Sequence, residues 1–411
     1  MADFKNEFTY KKFVESGRED DFDRAFDDAV TKVRKEALGK KHPIYINGKE
    51  VFADAEIIEY SPIDKTVIGI FQKGNRETAK LAIQSASSAF SEWKTAGYKE
   101  RAEIFEKAAD MFSQRKFEVS AILSIENGKS RYESVGEVDE AIDFLRYYST
   151  DIIKNRGYVR RNALSASTAS VKAGFQGAPG RSEKVSIAMK PYGVFGVIAP
   201  FNFPISISVG MSAGALITGN TVVFKPSSTD NMTMLTGIEI YKIFTEAGVP
   251  PGVFNFITGP GSEVGDELVV NGNVSGIAFT GSRMAGINML KKSYDLGHQK
   301  VFVVEMGGKN PVKSNVNLFP TIYHPSAMCC LLCCLPISFK CSPAYQRTYV
   351  ILLFQWIPYL KCPYRVQQLA YELLPCRFMD IYTGCRTALL ACESERCACD
   401  SRCGIVKVSV F

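Results

Sequence analysis

The chain has 411 residues, enough for two or three domains and a sizeable buried core. Its 46% hydrophobic and 22% charged residues are ordinary for a soluble globular protein. The net charge of +6 is spread along the chain without a basic run, so a nucleic-acid partner is excluded from the expected functions.

The opening stretch, MADFKNEFTYKKFVESGREDDFD, is acidic and has no apolar segment; it reads as neither a secretory signal nor an organelle-targeting peptide. No apolar run in residues 1–328 is long enough to span a bilayer, and VILLFQWIPYL beyond them is short and carries a proline. A cytoplasmic protein with no membrane partner is expected; for a eukaryotic source the mitochondrial matrix is the alternative. Residues 1–156 read mostly as helix. In RETAKLAIQSASSAFSEW, Ala79, Ala82, Ile83, Ala86, Phe90 and Trp93 share one stripe at helical spacing. RAEIFEKAADMFSQRKFEVSAIL and GEVDEAIDFLRYYSTDIIKN behave alike. PIYINGKEV reads as a hairpin with Asn47-Gly48 at its turn. Residues 157–191, polar and rich in small side chains, read as an extended, oligomerisation-like arm.

From residue 193 the pattern changes. The short β-branched or aromatic runs GVFGVIA, TVVFK, VFNFIT, GIAFT and VFVVE alternate with helical stretches. Apolar strands alternating with helices predict a doubly wound parallel sheet over residues 192–312, covered on both faces. After Pro311-Val312 that pattern stops. Residues 313–411 hold recurrent prolines and sustain neither helical nor strand periodicity, which predicts an irregular, poorly ordered tail. All twelve cysteines lie between Cys329 and Cys403. Cys392, Cys397, Cys399 and Cys403 raise zinc ligation or disulfides; the spacing matches no paired Cys-x-x-Cys module, and a cytoplasmic setting argues against disulfides, so no metal is expected.

In an open parallel sheet, ligands bind outside the carboxyl ends of the strands. The first strand is followed by Pro200-Phe201-Asn202-Phe203-Pro204 and the second ends at Lys225. The third leads into TGPGSEVG, with Gly259, Gly261 and Gly265, and the fourth into Gly281 and Ser282, which open a helix. The fifth ends at Glu305. Singly, each has an ordinary reading: Asn202 as a turn residue, Lys225 as a solvated cation, the glycines as turns, Glu305 as a turn carboxylate. Their collocation on one sheet edge points to a dinucleotide. Gly281 lets backbone approach a diphosphate, and Ser282 heads a helix whose N–H groups and dipole favour it. Lys225 can reach ribose hydroxyls, the Asn202 amide suits an oxyanion, and Glu305 can take a proton from water or a nucleophile.

The set APFNFP, GNTVVFKPSS, GVPPGVFNFITGPGSEVG, GIAFTGS and VEMGGKNP, in that order, resembles the aldehyde dehydrogenase superfamily. LGKKHPIYINGKEV, AIQSASSAFSEW and DEAIDFLRYYSTDIIKNRG resemble its 1-pyrroline-5-carboxylate dehydrogenase branch, which oxidises glutamate γ-semialdehyde to glutamate with a nicotinamide cofactor. The resemblance covers roughly residues 30–312 and follows 157–191 only loosely. It implies a small-molecule aldehyde, NAD or NADP, and a homo-oligomer or pairing with an intact relative. It implies that Asn202 stabilises the oxyanion and Glu305 is the general base. Pro200, Phe201, Lys225, Ser228, Gly259, Gly261, Gly265 and Gly281 through Gly286 would line the nucleotide, and the Glu140–Phe144 segment would face the aldehyde. Serine at 228, where many NAD-preferring relatives carry an acid, leaves NAD against NADP open. The family's nucleophile is a cysteine about thirty-five residues past the glutamate in a Gly-Gln-x-Cys context. That context is missing; Cys341, 36 residues after Glu305 in SFKCSPAY, is the match by spacing. The Glu-x-Phe-Gly-Pro stretch that grips the nicotinamide ribose is missing as well. The expectation is therefore an aldehyde dehydrogenase whose catalytic part is lost or replaced, or a truncated nucleotide-binding remnant without turnover. The tail has the look of a wrong frame, a retained intron or a chimeric gene end.

Overall fold

A computed structural model describes residues 4–164, 184–228, 232–297 and 299–307. The tail from 308 onward, with Cys341 and every other cysteine, lies outside the described residues.

The N-terminal region begins with two helices, α1 (Thr9–Glu15) and α2 (Glu19–Glu36). Five short strands follow: β1 (Lys40–His42), β2 (Ile44–Ile46), β3 (Lys49–Val51), β4 (Glu56–Tyr60) and β5 (Val67–Gln72). Helices α3 (Arg76–Trp93), α4 (Tyr98–Gln114), α5 (Lys116–Asn127) and α6 (Arg131–Lys154) complete it. The sequence reading of this region as mostly helix captured one hairpin and missed the other strands. The three-residue strands β1 to β3 are too short to establish a period, and β1, β5 and β4 form a separate sheet in which β1 meets β5 from about thirty residues away and β4 pairs with its neighbour β5. The hairpin is β2–β3, with Ile46 opposite Lys49. Asn47 and Gly48 both take positive φ, 54° and 71°, as a two-residue turn between right-twisted strands requires.

Helix starts are written locally. Asn75 caps α3 by accepting from Thr78 N at 3.0 Å, while Thr78 Oγ1 accepts from Asn75 N at 3.3 Å. Ser130 and Glu133 make the same reciprocal pair at α6. The α3 stripe is buried as its spacing predicts, except that Phe90 is only half-buried. Strands β6 (Val159–Leu164) and β7 (Lys184–Ala188) pair antiparallel at the two ends of the arm segment; residues 165–183 between them lie outside the described residues.

The central sheet carries β8 (Val194–Ile198), β9 (Thr221–Lys225), β10 (Phe254–Phe256), β11 (Val274–Thr280) and β12 (Val301–Glu305). Its order is β12-β11-β8-β9-β10, all parallel, with the β2–β3 hairpin added antiparallel beyond β10. Helices α7 (Ser206–Ile217) and α8 (Met234–Ala247) pack with α4–α6 on one face, against Phe195, Val197, Val222, Phe224 and Phe254. Helices α9 (Asp266–Val270) and α10 (Arg283–Asp295) lie with α3 on the other, against Val194, Ile198, Val223, Ile277 and Phe279. Strand side chains alternate between the two faces, so both must be apolar, which is why these runs read as continuous hydrophobic stretches. The fold is thus a doubly wound α/β sheet with a helical N-terminal region. The winding reverses between β8 and β11, and there the crevice of such a sheet opens.

Candidate functional site

Strand register brings the predicted residues to one edge. Ile198 pairs with Lys225 on one side and with Phe279 on the other, and Thr280 pairs with Glu305. The chain leaves β8 at Ala199 and Pro200, β9 at Lys225 and Pro226, β11 at Gly281 and β12 at Glu305, so these exits are neighbours across four adjacent strands. Two further bonds tie the turns together. Gly281 N donates to Glu305 O at 3.1 Å, and Thr280 Oγ1 donates to Met211 Sδ on α7 at 3.6 Å.

Lys225 is not the solvated cation of its ordinary reading. It is 5% exposed, its Nζ donates to Pro226 O at 3.2 Å, and burial pushes its ammonium down to about 8. Ser228 is also buried, its Oγ donating to Pro226 O at 3.1 Å. Ser282 is the N-cap of α10, its Oγ accepting from Ala285 N at 3.2 Å, so the helix presents its amino end at the switch point.

The glycines divide by role. Gly261 and Gly265 form a π-helical turn, and a side chain at either would meet open space. Gly259 has φ of 142°, and a Cβ there would sit 2.3 Å from Gly74 O, so its glycine serves close packing against the chain before α3. Gly286 lets α10 close on Met306, whose sulfur would lie 2.2 Å from an added Cβ. Gly281 packs on its own neighbour Phe279.

Asn202 and Glu305 are both exposed. Asn202 sits between exposed Phe201 and Phe203 on a loop that ends at buried Pro204 and Ile205. Sequence reasoning missed what holds that loop. Asn127 Nδ2 donates to Phe201 O at 2.7 Å. Glu137 Oε1 accepts from Ile205 N at 2.8 Å and Ser206 N at 3.2 Å, and Oε2 pairs with Lys129 Nζ at 2.5 Å. Burial pushes the Glu137 carboxyl up, against the pull of Lys129 and the two amides. Nothing in the spacing of residues 127–137 marks them, because their partners lie about seventy residues further on. In the Glu140–Phe144 segment Glu140 is exposed, whereas the Phe144 ring is half-buried over Gly210 of α7, 3.2 Å from where its Cβ would stand.

A separate groove of about 520 Å³ lies at the amino end of β10, lined by Asn47, Ser85, Trp93, Glu100, Pro251 and others, away from the switch point. Among the described residues no group of three His, Cys, Asp or Glu could hold a metal, and no helix is long and apolar enough to cross a membrane.

Residues 51–313 match the model of the aldehyde dehydrogenase family. The chain is 38% identical over 295 residues to 1-pyrroline-5-carboxylate dehydrogenase 1 of Halalkalibacterium halodurans, covering 70% of this chain and 53% of the relative. It is 37% identical over 293 residues to 1-pyrroline-5-carboxylate dehydrogenase 2 of Bacillus subtilis, with the same coverage. A crystal structure of 1-pyrroline-5-carboxylate dehydrogenase from Thermus with bound NAD superposes with a TM-score of 0.65 at 33% identity, covering 75% of this chain and 56% of that one. The chain spans about half the length of the curated relatives it matches.

Proposed function

The chain belongs to the aldehyde dehydrogenase family, and from that premise we propose that its described part is the nicotinamide-dinucleotide cradle of an enzyme oxidising an aldehyde to a carboxylic acid. The aldehyde best supported is L-glutamate γ-semialdehyde, the open form of 1-pyrroline-5-carboxylate, converted to glutamate in proline degradation. Its support is the branch-specific sequence resemblance and the similarity to the Halalkalibacterium and Bacillus relatives. One observation carries the reading: four neighbouring parallel strands deliver Asn202, Lys225, Gly281-Ser282 and Glu305 to one edge of the sheet.

The residues fit the cofactor class. A buried ammonium with a main-chain acceptor, open space over Gly261 and Gly265, and a capped helix N-terminus suit ribose hydroxyls and a diphosphate. Lys225 would take the ribose, Ser282 through Gly286 the diphosphate, with Pro200, Phe201, Ser228 and Gly259 walling the cleft. A nicotinamide held there would supply the acceptor for the hydride that leaves the aldehyde carbon. The chain's own work is electrostatic and protolytic. The Asn202 amide donates to the aldehyde oxygen as negative charge develops there, and the exposed Glu305 carboxylate takes a proton from water or from the attacking thiol. Cys341 is the residue positioned by spacing to supply that thiol; it lies outside the described residues.

A second reading has its own support. Residues 1–328, which hold the whole of the family resemblance, contain no cysteine, which suits a nucleotide-binding protein without turnover, acting alone or paired with an intact relative. Titration with NADH and NADPH by cofactor fluorescence tests both readings at once, followed by turnover of glutamate semialdehyde with each oxidised cofactor. Turnover that Cys341→Ala abolishes establishes the dehydrogenase and its nucleophile. Binding without turnover selects the second reading, and no binding sinks both.

A further inference from the structure

The loop Pro200–Pro204 must present Asn202 at the switch point with no secondary structure of its own. It is gripped by one short stretch of chain at the α5–α6 junction. Gly128, at φ of 80°, ends α5 in the left-handed conformation, and Ser124 Oγ donates to Lys129 O at 2.7 Å, which fixes the turn. That turn places Asn127 and Lys129 on the loop together. Asn127 holds the Phe201 carbonyl, and the Lys129 ammonium lies 3.7 Å from the Phe203 ring centroid. Phe201 and Phe203 are the two neighbours of Asn202, so both sides of the functional amide are clamped. The same ammonium neutralises Glu137, whose side chain is 0% exposed and which holds the Ile205 and Ser206 amides just downstream.

We propose that Asn127, Lys129 and Glu137 are positioning residues for Asn202: a clamp, separate from the cradle, that sets the nicotinamide and aldehyde end of the site. The inference rests on the dinucleotide reading above. It differs from simple helix capping, because a cap on α7 requires Glu137 alone. Neither the cation on Phe203 nor the bond to the Phe201 carbonyl serves a cap.

The test uses the full chain and two probes, NADH and 5′-AMP. 5′-AMP reaches only the Lys225 end, whereas NADH also needs the loop. Lys129→Met is expected to weaken NADH about tenfold and to leave 5′-AMP unchanged, and Lys129→Arg is expected to restore NADH. Asn127→Ala, which removes one hydrogen bond near the surface and keeps the buried pair whole, is expected to weaken NADH severalfold with an unchanged melting temperature. Hydrogen exchange adds a ligand-free readout: Glu137→Gln should speed exchange at Ile205 and Ser206 at least tenfold. Equal loss of both probes in Lys129→Met would reduce the pair to general stability and overturn the proposal. So would unchanged NADH affinity in both Lys129→Met and Asn127→Ala. Failure of the unaltered chain to bind NADH would sink the dinucleotide reading itself, and the clamp with it; the unaltered chain therefore tells the two failures apart.

Discussion

Lys225 was legible in the sequence as a lysine at a strand end, but its burial was not. Its ammonium and the Ser228 hydroxyl both donate to the Pro226 carbonyl in a buried turn that no local pattern of TVVFKPSS announces. A buried ammonium whose partner among the described residues is a main-chain carbonyl is an expensive group to keep, so it has a use. Lys225→Met is expected to weaken NADH at least tenfold, about 1.4 kcal/mol, while the melting temperature holds or rises. Cofactor-fluorescence titration beside a thermal scan checks it; unchanged affinity with a lower melting temperature would make the lysine structural. Asn202, Ser282 and Glu305 were legible for the same reason as Lys225: each follows an apolar run. The clamp residues Asn127, Lys129 and Glu137 carry no such signal, since only the packing of α6 on α7 brings them to the loop.

Two charge clusters pin the helices of the N-terminal region, one to the sheet domain and one to each other, with opposite pH dependence. At the amino end of α8, Glu126 of α5 accepts from Leu235 N at 2.6 Å and Thr236 N at 3.0 Å. Burial pushes Glu126 up to about 7, and burial with the neighbouring Glu126 charge pushes Glu59 of β4 well above the carboxylate range. Groups with raised folded pKa values contribute stability fully below about pH 4.5, and lose it as pH rises through about 7. The unaltered chain is therefore expected to lose melting temperature between pH 5 and pH 8, and Glu59→Gln to flatten that fall. At the amino end of α5, Glu7 is held down at about 2: burial opposes its ionisation, but Lys116, with Lys12 and Arg146, outweighs it. Its contribution is present above about pH 4.5 and is lost as pH falls toward 2. Glu7→Gln is expected to lower stability at pH 7 by about 2 kcal/mol, read by urea unfolding, with the difference vanishing in acid. Neither cluster could be read in advance, because Glu7 meets Lys116 and Glu59 meets Glu126 across long stretches of chain. The α3 stripe and the Asn47-Gly48 hairpin could be, because their signals are local and strong.

At the scale of the whole molecule, the parallel sheet was legible because β8 to β11 are buried on both faces and read, with the more exposed edge strand β12, as unbroken apolar runs. Strands β1 and β4 were not, being short and partly exposed, and β5 stood among them without alternating helices to mark it. The cradle and the clamp use no residue beyond Gly286 except Glu305 and Met306; one large hydrophobic cluster runs to Val301 and the other to Met306. The family match ends at residue 313. If binding belongs to this body alone, a chain cut after Val312 should bind NADH within about twofold of the full chain and unfold within about 2 °C of it. Titration and calorimetry on the two forms decide the point, and a tenfold loss of affinity would show that residues 313–411 complete the cleft. The same comparison bears on the cysteines. Should glutamate semialdehyde be turned over by the full chain and not by the cut one, the nucleophile lies beyond residue 312, and Cys341→Ala then tests whether it is the sulfur 36 residues past Glu305. Equal binding and no turnover in either form would leave a body that holds the dinucleotide and lacks the atom that must attack the aldehyde.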